Sequence, residues 1–222
     1  MKKILVIAPH PDDETLGCGG SILRHIEEGD EVHWVVVTSI DELSCFTDDR
    51  KNSRRDEILK VSLEYGFKGV HELKFNSMQL DTLEKGVVIA AMSGVFNEVK
   101  PDTVYVPFRL DAHSDHEVVH DAAMACTKSF RYPFIKTVRV YETLSETEFG
   151  MRPENTGFKP NTFIDVSSYL PKKIKIMSLY EGEMGNHPFP RSVDSLKALA
   201  LLRGTVAGCY YAEAFMTVKE II

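Results

Sequence analysis

Apolar positions along the chain fall into short, nearly continuous runs separated by longer stretches of helical spacing. The first run, Ile4-Leu5-Val6-Ile7, stops at Pro9 and reads as a strand buried on both faces. Residues 15–28 read as a helix closed by the turn Gly29-Asp30, and 31–38 (EVHWVVVT) as a second buried strand. The next segment, 39–52, is polar and irregular, with acids at Asp41, Glu42, Asp48 and Asp49. It leaves a strand end and is expected to be a loop on the substrate side. Ser53 is expected to cap a helix running to Tyr65, with Gly66 closing it. The pattern then predicts a strand near 71–75, a helix at 83–99, a strand at 103–107 and a helix at 117–129. Strands at 137–142 and 162–166 and helices at 170–182 and 192–208 complete it. Such alternation predicts an α/β fold of Rossmann-like, three-layer form, with a mostly parallel sheet and helices on both faces. No repeat, low-complexity tract or linker interrupts it, so a single domain over 1–222 is expected.

The polar residues that stand out sit at strand ends, where open α/β sheets bind their ligands. Ala8-Pro9-His10-Pro11-Asp12-Asp13-Glu14 follows the first strand and leads into Gly17-Cys18-Gly19-Gly20. Two prolines stiffen the backbone around His10. A His and two adjacent carboxylates on a rigid turn suit a metal-and-base cluster. The plainer alternative is a surface turn whose aspartates cap the following helix. The glycine run faintly suggests a dinucleotide fingerprint, but there the glycines follow the strand directly. Here residues 9–16 intervene with carboxylates that would repel phosphates, so the glycines are expected to allow close helix–sheet packing. A second constellation, Asp111-Ala112-His113-Ser114-Asp115-His116, follows the strand at 103–107.

His10-Pro11-Asp12-Asp13-Glu14 resembles the motif of the PIG-L/LmbE-type zinc-dependent N-acetylglucosamine deacetylases, and residues 111–116 match that family's Asp-x-His-x-Asp-His. The likeness extends to Arg54-Arg55-Asp56-Glu57, Tyr141-Glu142, Arg203-Gly204 and Tyr211-Ala212-Glu213-Ala214-Phe215. The resemblance implies removal of an N-acetyl group from an N-acetyl amino sugar or its conjugate, with release of acetate. It implies one Zn2+ per chain, held by His10, Asp13 and His116. Asp12 is then the general base on the water at the metal. His113 is an acid or electrophile near the carbonyl oxygen and leaving nitrogen, with Asp115 orienting its ring, and Arg54 contacts substrate or product carboxylate. Zinc with an open coordination position lowers the pKa of water to about 7 and polarises a carbonyl, which amide hydrolysis needs.

The residues themselves leave rivals. His116 and His120 are four apart on the expected helix and would also make a ligating pair. Asp115 would serve as a helix cap, and Arg54 as a solvated charge. Two histidines and a carboxylate also suit non-haem Fe(II). A non-catalytic sugar-binding protein is a further reading, although binding alone requires neither base nor acid. His187 and Arg191 are added candidates for sugar contact, while His25, His33 and His71 have no acidic motif around them.

Bulk properties narrow the partners. A formal charge of −7 argues against nucleic acid. No apolar run approaches the roughly 20 residues that span a bilayer. Met1-Lys2-Lys3 and the run after it imitate a signal peptide, but the run ends at Pro9-His10 without a cleavage pattern. Cys18, Cys45, Cys126 and Cys209 form no Cys-x-x-Cys pair; three of the four lie in segments read as helical or packed, and buried, reduced thiols of a cytoplasmic protein are expected. Selectivity among N-acetylated sugars is expected to reside in 39–52, 145–159 and 186–191. Oligomeric state has no signature in the sequence.

Overall fold

The computed structural model describes residues 1–154 and 156–222. Its strands are β1 (Lys3–Ala8), β2 (Glu31–Ser39), β3 (Gly69–Asn76), β4 (Thr103–Pro107), β5 (Thr137–Tyr141), β6 (Thr162–Asp165) and β7 (Ala212–Glu220). Its α-helices are α1 (Asp13–Glu27), α2 (Asp48–Tyr65), α3 (Lys85–Val99), α4 (Ser114–Ala125), α5 (Leu170–Met177) and α6 (Val193–Ala207). All seven strands join one sheet in the order β3-β2-β1-β4-β5-β7-β6. The first five are parallel, and β7 runs antiparallel between β5 and β6.

Successive side chains of a strand point to opposite faces, and β1 divides its residues accordingly. Leu5 and Ile7 enter one apolar core with Val88, Met92 and Phe96 of α3 and Val119 and Ala122 of α4. Ile4, Val6 and Ala8 enter the other, with Ile22 of α1, Tyr65 of α2 and Ile176 of α5. Both faces of the sheet are thus covered, which gives the expected three layers. Strand order reverses between β1 and β4, and a crevice opens there at their carboxyl ends. The two polar motifs leave these two strands.

Several boundaries differ from the sequence expectation. Helix α2 starts at Asp48, and its cap is Thr47, whose Oγ1 accepts the Arg50 N–H at 3.2 Å. Ser53, the expected cap, lies inside the helix and bonds Glu57 and Glu181. Helix α4 starts at Ser114, three residues early, because His113 supplies its cap. Strand β7 has no counterpart in the sequence reading. Of the four cysteines, all free, Cys18 and Cys126 are buried, Cys209 is half-buried, and Cys45, in the irregular 39–52 segment, is exposed. The expected 145–159 connection includes Asn155, which lies outside the described residues.

Helix α1 is broken at Cys18 (φ −142°, ψ 21°), and two buried charges serve the broken ends. Glu213 of β7 accepts the N–H groups of Gly20 and Ser21, both at 2.8 Å. Lys173 of α5 donates to the Leu16 carbonyl at 2.9 Å and to Glu213 at 2.7 Å. The glycines permit the close approach: a Cβ on Gly17 would lie 2.2 Å from the Tyr141 ring. These contacts fix the direction in which the first turn of α1 leaves β1.

Candidate active site

Asp13 stands at the centre of the crevice. Its Oδ2 accepts the His10 backbone N–H at 2.8 Å and lies 3.3 Å from both His10 Nδ1 and His116 Nε2. His10 comes from the turn after β1 and His116 from the first turn of α4, so ligand-type atoms of two separate segments meet within 4.8 Å of one another. Each ring is held from behind by a carboxylate. Asp115 takes His10 Nε2 at 3.0 Å and is itself anchored by the N–H groups of Met78 and Leu80. Asp111 takes His116 Nδ1 at 2.7 Å and is anchored by the Thr147 hydroxyl. Such outer carboxylates orient a ligating imidazole and fix its tautomer.

This donor set fits a divalent cation. His116 Nε2 is buried and has no hydrogen-bond partner among the described residues, an unusual state for a buried polar atom. The surrounding carboxylates also demand positive charge. Burial works against the charged form of His10, but Asp115 and Asp13 outweigh it and hold its pKa at about 9. Burial is likewise overcome at His116, which Asp13 and Asp111 keep well above the ordinary range. Asp13 is held well below its own range, against burial, by His116 and His10.

Asp12 occupies the N-cap position of α1, yet its side chain makes no capping hydrogen bond. The capping alternative therefore does not describe it. Burial, and then the carboxylates of Asp13 and Glu183, push its carboxyl well above the usual range against the pull of Arg54 and Arg191. Asp12, Asp13, His10 and His113 line one pocket.

His113 departs from expectation in its partner. Its Nδ1 accepts the Asp115 backbone N–H at 3.1 Å, which caps α4. The Asp115 carboxylate is 4.0 Å from that nitrogen and bonds His10 at 3.0 Å, so the hydrogen bond from Asp115 to the His113 ring comes from its backbone N–H. With Nδ1 an acceptor, the neutral ring carries its proton on Nε2. Burial, and then the charge on His10, pull its pKa down to about 4.

A sequence profile of the family described as GlcNAc-PI de-N-acetylase, PIG-L, matches residues 5–127. The chain belongs to the PIG-L family. It is similar to the diacetylchitobiose deacetylase of Thermococcus kodakarensis, with 27% identity over all of this chain and 85% of that protein. Among solved structures, the conserved protein TT1542 of Thermus thermophilus superposes with a TM-score of 0.79 at 23% identity, covering 100% of this chain and 97% of that one. A 4-carboxy-2-hydroxymuconate hydratase of Pseudomonas putida KT2440 does so with a TM-score of 0.76 at 20% identity, covering 100% and 98%. Proteins of different named chemistries thus share this fold, and function must be argued from the site.

Other parts of this PIG-L site carry little or no sequence signal. His120 does not join the cluster; its Nδ1 bonds the Pro107 carbonyl at 2.8 Å. Arg191 reaches the pocket, whereas His187 does not line it. Arg54 lines the pocket, and its guanidinium pairs with Glu183 and Glu57. Glu183, from the loop between α5 and α6, gathers Arg54, Arg191 and Arg50 on one carboxylate. Glu146 lines the opposite part of the loop system; burial, with Asp13 and Asp111, raises its pKa against the pull of His116. Asp111 belongs to a motif visible in the sequence, but its task depends on where the fold puts His116.

Proposed function

We propose that residues 1–222 form a single-domain, zinc-dependent hydrolase that removes the N-acetyl group of an N-acetyl amino sugar or its conjugate. The observation that carries this reading is the convergence of the His10–Asp13–His116 donor set with a neutral His113 and with Asp12, whose side chain makes no capping bond, at the wall of one pocket. The likeness to a diacetylchitobiose deacetylase supports the substrate class.

A zinc ion held by His10, Asp13 and His116 would supply Lewis acidity, activating water and polarising the amide carbonyl. Asp115 and Asp111 keep the two imidazoles in the tautomers that ligation requires. Asp12, with its raised pKa, takes a proton from the attacking water. His113 serves as a neutral donor: its Nε2–H hydrogen-bonds the carbonyl oxygen as negative charge develops there. A pKa of about 4 and the cap on Nδ1 both disfavour an imidazolium, so the proton that Asp12 has taken passes on to the leaving nitrogen. Of the two roles that the resemblance leaves open for His113, acid or electrophile, this takes the electrophilic one, and it makes Asp12 base first and acid second.

The deciding experiment is acetate release from N,N′-diacetylchitobiose and from N-acetylglucosamine by zinc-loaded protein. Metal analysis of the protein as purified accompanies it. Turnover that depends on zinc supports the reading. Iron as the sole activating metal, or hydration of an unsaturated acid without acetate release, would replace it.

A further inference from the structure

The peptide unit joining Pro11 to Asp12 is gripped at both of its polar atoms by ionisable side chains. The Pro11 carbonyl accepts from Arg54 Nη1 at 2.9 Å. The Asp12 N–H donates to Glu14 Oε2 at 3.1 Å. Neither holder is loose. Arg54 Nε lies 3.3 Å from Glu57, its Nη2 pairs with Glu183, and its guanidinium stands 5.9 Å over the Tyr180 ring. Glu14 is wholly buried, and its Oε1 accepts the Tyr180 hydroxyl at 2.6 Å. Tyr180 therefore braces both holders, one through its ring and one through its hydroxyl.

What they grip is strained. Asp12 has φ 131° and ψ −28°, a region that residues with side chains rarely adopt and keep only where the surroundings enforce it. Strain of this kind gathers around the pocket: Met78 (φ 63°) lines it, and Ser145 (φ 80°) receives Arg191 from its wall. At Asp12 the unusual φ sets where the carboxylate points relative to the fixed peptide plane. Freed from the grip, the residue would relax and its carboxylate would swing away from the reacting atoms.

We propose that Arg54 and Glu14, braced by Tyr180, form a clamp on the Pro11–Asp12 peptide that aims the Asp12 carboxylate. Arg54 is then a positioning residue and not a substrate contact, and its three nitrogens already face Pro11, Glu57 and Glu183. The inference rests on the hydrolase reading only for what Asp12 does, not for how Asp12 is held. A misplacement of about 1 Å at a reacting group costs on the order of 10²-fold in rate.

The test uses the full zinc-loaded chain, N,N′-diacetylchitobiose as substrate, and the variants Arg54→Lys, Glu14→Gln and Tyr180→Phe. The last removes one hydroxyl and guards against loss of fold. Zinc content should match wild type, KM should change less than about twofold, and kcat should fall on the order of 10–100-fold. Placed on Asp12→Asn, each change should cost almost nothing further, because there is no base left to aim. A readout independent of turnover is the Asp12 amide resonance. It should move in Glu14→Gln and Tyr180→Phe while the amides of Gly20 and Ser21 stay in place. A raised KM with intact kcat in Arg54→Lys would make Arg54 a substrate contact, and full additivity with Asp12→Asn would reduce Glu14 to a structural part; either result overturns the clamp. If wild type releases no acetate, the hydrolase reading falls by itself, and an unmoved Asp12 amide still decides against the clamp.

Discussion

Asp12 and Asp13 are adjacent, chemically identical and placed in opposite circumstances. Asp13 is ringed by two imidazoles and a backbone N–H; at Asp12 burial and the carboxylates of Asp13 and Glu183 outweigh the pull of Arg54 and Arg191. Their amide variants should separate accordingly. Asp12→Asn should keep zinc near wild-type occupancy while kcat falls roughly 10²–10⁴-fold. Asp13→Asn should lose zinc first and recover part of its activity with excess metal. Zinc titration beside acetate assays measures both, and zinc loss in the Asp12 variant with retention in the Asp13 variant would exchange the roles. His113 allows a similar dissection. Asn at that position still caps α4 but lacks the imidazole, whereas Ala lacks both. Both variants should lose about 10²–10³-fold in kcat, and only His113→Ala should also lose about 1 kcal/mol of stability in urea unfolding. Equal stability of the two variants would deny the cap.

At the level of elements, the loop from β4 to α4 is tied to its surroundings by Asp121. The Arg109 guanidinium, bonded to it at 2.7 Å, and Lys85 of α3 at 2.8 Å lower its pKa from 3.8 to about 2. A depressed carboxyl contributes stability that is present above its unfolded pKa and lost as pH falls through its folded pKa. The stability difference between wild type and Asp121→Asn should therefore be constant above about pH 5 and vanish between about pH 4 and pH 2. Urea unfolding across that range checks it, and a difference that grows toward low pH would contradict the assignment. Elements also differ in how far the sequence exposes them. β1, β2 and β4 are buried on both faces and read as unbroken apolar runs. β7 mixes buried Ala212, Glu213, Ala214 and Phe215 with half-exposed residues, and its one buried acid conceals a core position. The start of α4 is hidden because His is not among the usual capping residues. At the site, His10, Asp12, Asp13, His113 and His116 are legible because two rigid motifs carry them. Glu183 meets Arg54 across 129 residues and Asp115 meets His10 across 105, pairings that no local pattern records; Asp111 meets His116 only five residues on, but its task depends on where the fold puts that ring.

For the molecule as a whole, the candidate metal centre draws on both sides of the point where strand order reverses. His10 and Asp13 follow β1, and His116 follows β4. A ligand that binds only the folded chain stabilises it by RT ln(1 + [L]/Kd), about 4 kcal/mol at a thousandfold excess over Kd. Thermal melting should accordingly rise with zinc and fall with a chelator in wild type, while His116→Ala should respond little to either. A melting temperature indifferent to zinc in wild type would dissociate the cluster from metal binding.

The break in α1 has a consequence for the order of synthesis. Every candidate ligand lies within the first 116 residues, yet the carboxylate that holds the broken helix together is residue 213. A growing chain therefore displays the whole donor set on the ribosome long before Glu213 can fix the angle at which α1 departs. Nascent chains stalled before residue 212 should carry every candidate ligand and still retain zinc poorly. Capture of the ion would then wait for the synthesis of β7, when that strand slides in between β5 and β6.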